Sequence, residues 1–180
     1  MDKKRLFRMA YRVLENSTPL RMDCGELCSK ACCKGDQETG MHLFPGEEQV
    51  YADPPSFLSI SPTHIEIKGH SRLLIALCKG SCNRRLRPLS CRVFPLIPYL
   101  DKNNVLSIIM DPRAAHLCPI AGYTERNTLN LFFVRNVRNA FRLLMHDKEI
   151  KEYIVWLSRQ IDDFNQLKGS FDAKTDSTER

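Results

Sequence analysis

The sequence predicts an α+β fold: a small metal-centred domain with short strands and loops at 20–120, packed on an N-terminal helix and a C-terminal helical hairpin. Apolar residues recur every three or four positions near both ends of the chain, which predicts the helices. Short apolar runs between turn residues occupy the middle, which predicts the strands. With 180 residues and 43% hydrophobic content, the chain can bury one core. We expect a single domain at 1–168 and a disordered polar tail at 169–180.

The first third of the chain contains one helix and then loops. From Lys3 to Glu15 the apolar residues have helical spacing, and Asn16 to Pro19 end that helix. Glu47 and Glu48 follow a Pro-Gly break, where acidic residues favour the start of a short helix. The segment from Tyr51 to Pro62 is rich in proline and serine and is predicted to be loop.

The strands are predicted in the middle of the chain. Thr63 to Ile67 alternates with the two-residue period of a strand, and a turn follows at Lys68-Gly69-His70. The apolar run from Leu73 to Leu77 has the length of a strand. Val93 to Leu100 and Val105 to Met110 are separated by a polar turn, which predicts a β-hairpin.

The C-terminal helices are predicted at 125–167. One helix occupies Asn127 to Met145, where a stripe of apolar and aromatic residues predicts a buried face. Asp147 can cap a second helix that continues through Phe164. Neither segment contains cysteine, so we expect these helices to form the core and not the site.

The eight cysteines are the candidate functional residues. No stretch has the pattern of a signal peptide or a membrane span, so we expect a cytoplasmic protein without a membrane partner. In a reducing compartment, multiple cysteines more often bind metal than form disulfides, and thiolates suit zinc and iron-sulfur clusters. The candidate metal ligands are Cys24, Cys28, Cys32, Cys33, Cys78, Cys82, Cys91 and Cys118.

The first four cysteines lie within ten residues, from Cys24 to Cys33. In a continuous helix, Cys24 and Cys32 would lie about 12 Å apart along the axis. Two thiolates on one zinc ion lie at most about 4.6 Å apart. The segment is therefore either a folded loop, with turns at Gly25 and Gly35, or it serves more than one metal atom. We interpret it as half of a site that the later cysteines complete.

The later cysteines occur in three places. Cys78 and Cys82 flank a turn-like spacer and resemble half of a zinc or cluster site. Cys91 is placed in a segment that prolines stiffen, and Cys118 precedes a proline. His116 is a possible further ligand, although a lone histidine beside a turn is more often a surface group.

Five basic residues and no acidic one occur from Lys79 to Arg92, in a chain of net charge +6. Such a run can bind nucleic acid, but it lacks interleaved aromatic residues and a known DNA-binding spacing. We therefore expect the basic residues to offset the negative charge of a thiolate-ligated metal. Arg87 and Arg92 are predicted to donate hydrogen bonds to cluster sulfur or to neighbouring thiolates, and so to tune the centre.

The cysteine pattern resembles that of the cysteine-cluster proteins described as a zinc- or iron-chelating domain. The resemblance rests on the run ending in Cys32-Cys33, on Cys78 and Cys82, on Cys118-Pro119, and above all on Arg87-Pro88-Leu89-Ser90-Cys91-Arg92-Val93-Phe94-Pro95. The family usually separates its first cysteines by two residues, whereas this chain separates them by three. The run from Cys28 to Gly35 is also similar to the cysteine motif of flagellin lysine N-methylases.

Three functions are compatible with these residues. The leading one is a protein that holds an iron-sulfur cluster, most simply 4Fe–4S, or zinc, in one or two centres. The second is a metal-dependent enzyme, an oxidoreductase or a protein-lysine methylase, with Glu47 or Glu48 near an open metal position. The third is a zinc-stabilised interaction or nucleic-acid-binding module. The expected partner is the metal ion or cluster, and a protein partner is left unidentified.

Overall fold

The computed structural model describes residues 2–33, 40–67, 72–80, 82–123 and 129–176. The protein has the predicted α+β fold, with helices at both ends and two small antiparallel sheets between them. The predicted turns at 68–70 and at Gly35, and the first residues of the predicted C-terminal helices at 125–128, lie outside the described residues. The helices are α1 (Lys3–Val13), α2 (Leu89–Val93), α3 (Pro119–Tyr123), α4 (Leu131–Leu144) and α5 (Lys148–Asp176), and the strands are β1 (Gly40–His42), β2 (Leu58–Glu66), β3 (Arg72–Cys78), β4 (Leu96–Leu100) and β5 (Leu106–Met110).

Helix α1 forms where the apolar spacing predicts it. The side chain of Asp2 caps its first turn by accepting hydrogen bonds from the backbone N–H groups of Lys4 and Arg5. Leu6, Phe7 and the other inward residues are fully buried, and the helix packs against α4. The prediction of a helix with one buried stripe is confirmed.

The first sheet has the strand order β1–β3–β2 with antiparallel pairing. Strand β2 begins at Leu58, so the prediction of loop up to Pro62 is wrong for its last five residues. Proline is tolerated in β2 because this strand lies at the edge of the sheet, where a missing N–H breaks no central ladder. The pairing register shifts between Pro62 and Glu66.

The second sheet is the predicted β-hairpin, formed by β4 and β5. Its turn is held by Asp101, whose Oδ1 accepts hydrogen bonds from the N–H groups of Asn103 and Val105. Strand β4 begins at Leu96 and not at Val93, because the residues before it form helix α2. Leu89 and Val93, one helical turn apart, are both buried against the core.

Helices α4 and α5 form the predicted C-terminal pair. Asp147 caps α5 by accepting a hydrogen bond from the N–H of Ile150. On α4 the predicted stripe is buried except at Phe132, which is 64% exposed and lies under the guanidinium of Arg135. Helix α5 continues past Gly169, where the sequence predicts the start of a disordered tail, and ends at Asp176.

The core joins the two ends of the chain. Phe44 lies at its centre, with its ring 5.4 Å from that of Phe141 on α4 and 4.9 Å from that of Tyr153 on α5. Buried residues of α1, α4, α5 and the β4–β5 hairpin form one cluster with these rings, and Cys118 belongs to the same cluster. Within the described ranges, no helix is long and apolar enough to span a bilayer.

Candidate metal centre

All eight cysteines line one cavity of about 220 Å³. They reach it from separate segments: the turns at 24–33, the end of β3, position 82 four residues beyond that end, helix α2, and the residue before α3. Apolar residues such as Leu14, Phe57 and Phe94 form much of the remaining wall. The fold therefore brings residue 24 and residue 118 to the same place, as the sequence predicts.

The segment from Cys24 to Cys33 is a folded loop and not a continuous helix. Two short 3-10 turns, Cys24–Glu26 and Ala31–Cys33, are separated by Ser29 and Lys30, both of which have positive φ angles. Asp23 caps the first turn by accepting a hydrogen bond from the N–H of Gly25. The reversal at 29–30 shortens the segment, which lets all four of its cysteines line the cavity.

The adjacent Cys32 and Cys33 differ in environment. Their Sγ atoms are 3.9 Å apart, and Cys32 is exposed whereas Cys33 is half-buried. The hydrogen bond from Cys32 and the charges of Arg87 and Lys30 lower the pKa of Cys33 to about 6. The same hydrogen bond raises the pKa of Cys32. Without metal, Cys33 is therefore the thiolate of this pair at neutral pH.

Arg87 joins several of the later cysteines. Its Nε donates a hydrogen bond to Cys82 Sγ at 2.9 Å, and its charge also interacts with Cys33 and Cys91. Burial raises the pKa of the Cys91 thiol to about 12, against the opposing effect of Arg87. Cys91 is thus a neutral thiol in the absence of metal and must lose its proton to become a ligand.

A second group of thiols surrounds Cys24. Burial and the charge of Asp23 raise the pKa of Cys24, and its nearby thiols include Cys118 and Cys28. Cys118 is only 8% exposed and directly precedes α3, and its N–H donates a hydrogen bond to the carbonyl of Ala114. Cys32 interacts both with Cys33, which is close to Arg87, and with Cys28 and Cys24, so the thiols near Arg87 and those near Cys24 are electrostatically connected.

The donors in the cavity wall are of the chemical type that suits a thiolate-bound metal. Soft sulfur ligands select zinc or iron-sulfur clusters, and arginine side chains at 84, 87 and 92 in the same wall can offset the charge of thiolates. Among the residues that the structure describes, no three His, Cys, Asp or Glu side chains are already arranged to hold a metal ion. Binding would therefore require the sulfurs to converge from their positions in the cavity wall.

The other predicted site residues are placed differently. Arg92 lines the cavity but donates to the backbone carbonyls of Arg87, at 2.7 Å, and Arg85, and not to sulfur. His116 is exposed and does not line the cavity. Glu48 lines a different cavity, beside Lys3, so it is not close to an open position among the thiols.

Glu47 belongs to a buried network that the sequence does not reveal. Its carboxylate is 0% exposed and accepts hydrogen bonds from the hydroxyl of Tyr11 and from two backbone N–H groups. Tyr51 Oη lies 3.0 Å from Tyr11 Oη and 3.1 Å from the carbonyl oxygen of Leu86, so its single proton serves one of these acceptors at a time. The only sequence signal here is two acidic residues at a helix start, which is an ordinary surface pattern.

The fold and the site together define an α+β protein with an eight-cysteine cavity. Comparisons of the chain with protein-family models, with curated proteins and with solved structures gave no match. The function proposed below rests on the cavity and its residues.

Proposed function

We propose that this protein binds a metal centre through its cysteines, with a 4Fe–4S cluster as the leading form and zinc as the alternative. The observation that carries the proposal is the convergence of all eight cysteines on one cavity. Cysteines that only fill a core would be distributed through it, and packing alone does not explain why cysteines from five segments line one cavity. The resemblance of the cysteine motifs to a zinc- or iron-chelating family supports the same function.

The surroundings of the thiols also support this function. Apolar residues such as Phe94 and Ile120 in the cavity wall limit water access, which protects a cluster and affects its potential. Arg87 already donates a hydrogen bond to one thiol, and hydrogen bonds to sulfur tune clusters in the same way. When bound, a cluster would supply one-electron redox chemistry. Zinc would instead supply stability alone, if all its ligands are thiolates.

A reducing compartment, most simply the cytoplasm, suits this function. All eight cysteines are free thiols in the structure, and metal binding requires them to remain reduced. The thiols around Arg87 and those around Cys24 could serve one centre or two. Cys91 represents the first group and Cys118 the second, which makes them the best pair for a test.

The test is anaerobic purification of the wild-type chain and of the Cys91→Ser, Cys118→Ser and Glu26→Gln variants. Iron, zinc and acid-labile sulfide are measured per chain, together with visible absorption. Glu26 is exposed in the same segment and does not line the cavity, so Glu26→Gln is the control. We expect bound metal in the wild type and the control, and loss in both cysteine variants. Metal content that neither cysteine variant changes would refute the proposal.

A further inference from the structure

The buried carboxylate of Glu47 connects three segments of the chain. Its Oε1 accepts hydrogen bonds from the Tyr11 hydroxyl at 2.5 Å and from the Leu89 N–H at 2.6 Å. Its Oε2 accepts one from the Phe44 N–H at 3.0 Å. Helix α1, the segment before the 3-10 turn Glu47–Tyr51, and helix α2 therefore share one acceptor group.

The first connection to the cavity runs through α2. Leu89 is the first residue of this helix, and the preceding Pro88 provides no side-chain cap. A helix of five residues is too short to be stable by itself, so external contacts must hold it. Glu47 supplies an acceptor for its first N–H, and Cys91 lies two residues further along. The position of Cys91 thus depends on a carboxylate outside its own helix.

The second connection runs through Tyr11 and Arg92. The Arg92 guanidinium lies over the Tyr11 ring, 4.1 Å from its centroid, and donates to the backbone carbonyl oxygens of Arg87 and Arg85. The Arg87 side chain in turn donates to Cys82 Sγ. Contacts therefore continue from the buried carboxylate to a second thiol of the cavity.

Burying a carboxylate costs free energy, because the charged group loses its hydration. Burial raises the pKa of Glu47, and the three hydrogen bonds oppose that effect. An apolar side chain of similar volume would avoid the desolvation of a charge, so packing alone does not account for an acid here. Only a carboxylate accepts from all three donors at once, because an amide has a single acceptor oxygen.

We propose that Glu47 is a positioning residue for the cysteine cavity, which holds α2 with Cys91 and the segment of Arg87 with Cys82 where a metal can be bound. This role rests on the proposed metal-binding function. Glu47 is not itself a ligand, since its carboxylate faces Tyr11 and two backbone N–H groups.

The test compares Glu47→Gln with Glu48→Gln. Glutamine keeps the volume but has one acceptor oxygen, so an N–H of Phe44 or Leu89 then faces an amide NH₂. Glu48 lies in the same 3-10 turn, half-exposed and outside the network, so it is the matched control. The first measurement is the alkylation rate of individual cysteines in metal-free protein, read by mass spectrometry.

In Glu47→Gln, we expect Cys91 and Cys82 to react about tenfold faster, as the loss of one hydrogen bond to a charged group implies. Cys118 is held by the turn at 112–118 and is expected to react at the wild-type rate. Glu48→Gln is expected to match the wild type at all three cysteines. Equal acceleration of Cys118 would mean general unfolding and would overturn the proposal, as would unchanged rates at Cys91 and Cys82.

The second measurement is the rate at which a chelator removes metal from the loaded protein, followed by visible absorption or zinc release. Glu47→Gln is expected to release metal about tenfold faster than Glu48→Gln. If Glu47→Gln does not fold, Tyr11→Leu takes its place, because it removes the hydroxyl and the ring under Arg92 and keeps both backbone hydrogen bonds. This variant must then raise the alkylation rate of Cys82 and leave that of Cys118 unchanged. An unchanged alkylation rate at Cys82 would overturn the role of Glu47. A wild-type chain without metal would refute the proposed function but leave the alkylation result intact.

Discussion

Ser158 holds helix α5 against the β4–β5 hairpin, and its replacement by alanine tests that attachment. The side chain is 3% exposed, accepts a hydrogen bond from the Leu100 N–H at 2.8 Å and donates one to the Ile154 carbonyl at 2.8 Å. Leu100 is the last residue of β4 and only 5% exposed. In Ser158→Ala its buried N–H loses this acceptor, at a cost of about 1–3 kcal/mol. The higher helix propensity of alanine offsets about 0.5 kcal/mol of that loss.

We therefore expect Ser158→Ala to lower the free energy of unfolding by about 1–2 kcal/mol. The assay is urea denaturation of metal-free protein, with a lower midpoint and an unchanged slope. Ser170→Ala is the control, because Ser170 is exposed in the same helix and its hydroxyl donates to the Gln166 carbonyl of that helix. It is expected to be neutral or slightly stabilising. Equal midpoints for the two variants would refute the attachment through Ser158.

Three further predictions concern the cavity and the core. In metal-free protein, Cys33 is expected to react with iodoacetamide at a rate that rises through pH 6 and is constant above pH 7. Arg87→Gln is expected to move that rise to higher pH, because it removes a charge that lowers the pKa of Cys33. A wild-type rate that still rises above pH 8 would contradict this prediction. Phe141→Ala removes a fully buried ring and is expected to destabilise the protein by about 3–5 kcal/mol in the same denaturation assay, so a loss below about 1 kcal/mol would contradict the packing. Gly40→Ala places a Cβ 2.5 Å from a backbone oxygen of β3 and is expected to destabilise the protein. Gly169→Ala places a Cβ that meets nothing within 4 Å and is expected to stabilise α5 by about 0.5–1 kcal/mol. Similar melting temperatures for the two variants would refute this prediction.

Periodic segments of the chain were predictable because their own residues determine the structure. Helix α1 and the β4–β5 hairpin have clear apolar periods, and they form with boundaries within a few residues of those predicted. The start of β2 was not predictable, because its prolines and serines are typical of loops and only pairing with β3 makes them a strand. Helix α2 was missed for a similar reason, since five residues have no period and their helix depends on a distant side chain.

The candidate site was also predictable from the sequence only in part. Its cysteines could be identified from thiol chemistry and spacing, and the rise of a helix excluded a continuous helix from Cys24 to Cys32. The neighbours of each thiol could not be identified, because Cys24 and Cys118 meet only through the tertiary fold. The Glu47 network was equally hidden, since nothing local distinguishes a buried carboxylate from one at an exposed helix start.

The most direct test of the metal centre is native mass spectrometry of the chain kept away from air, combined with a count of alkylated thiols. We predict a mass increase that matches bound iron and sulfide, and fewer than eight alkylated cysteines per folded chain. A mass increase that matches zinc without sulfide would identify the alternative metal. A folded chain with the mass of the polypeptide alone and all eight thiols alkylated would contradict the proposed function.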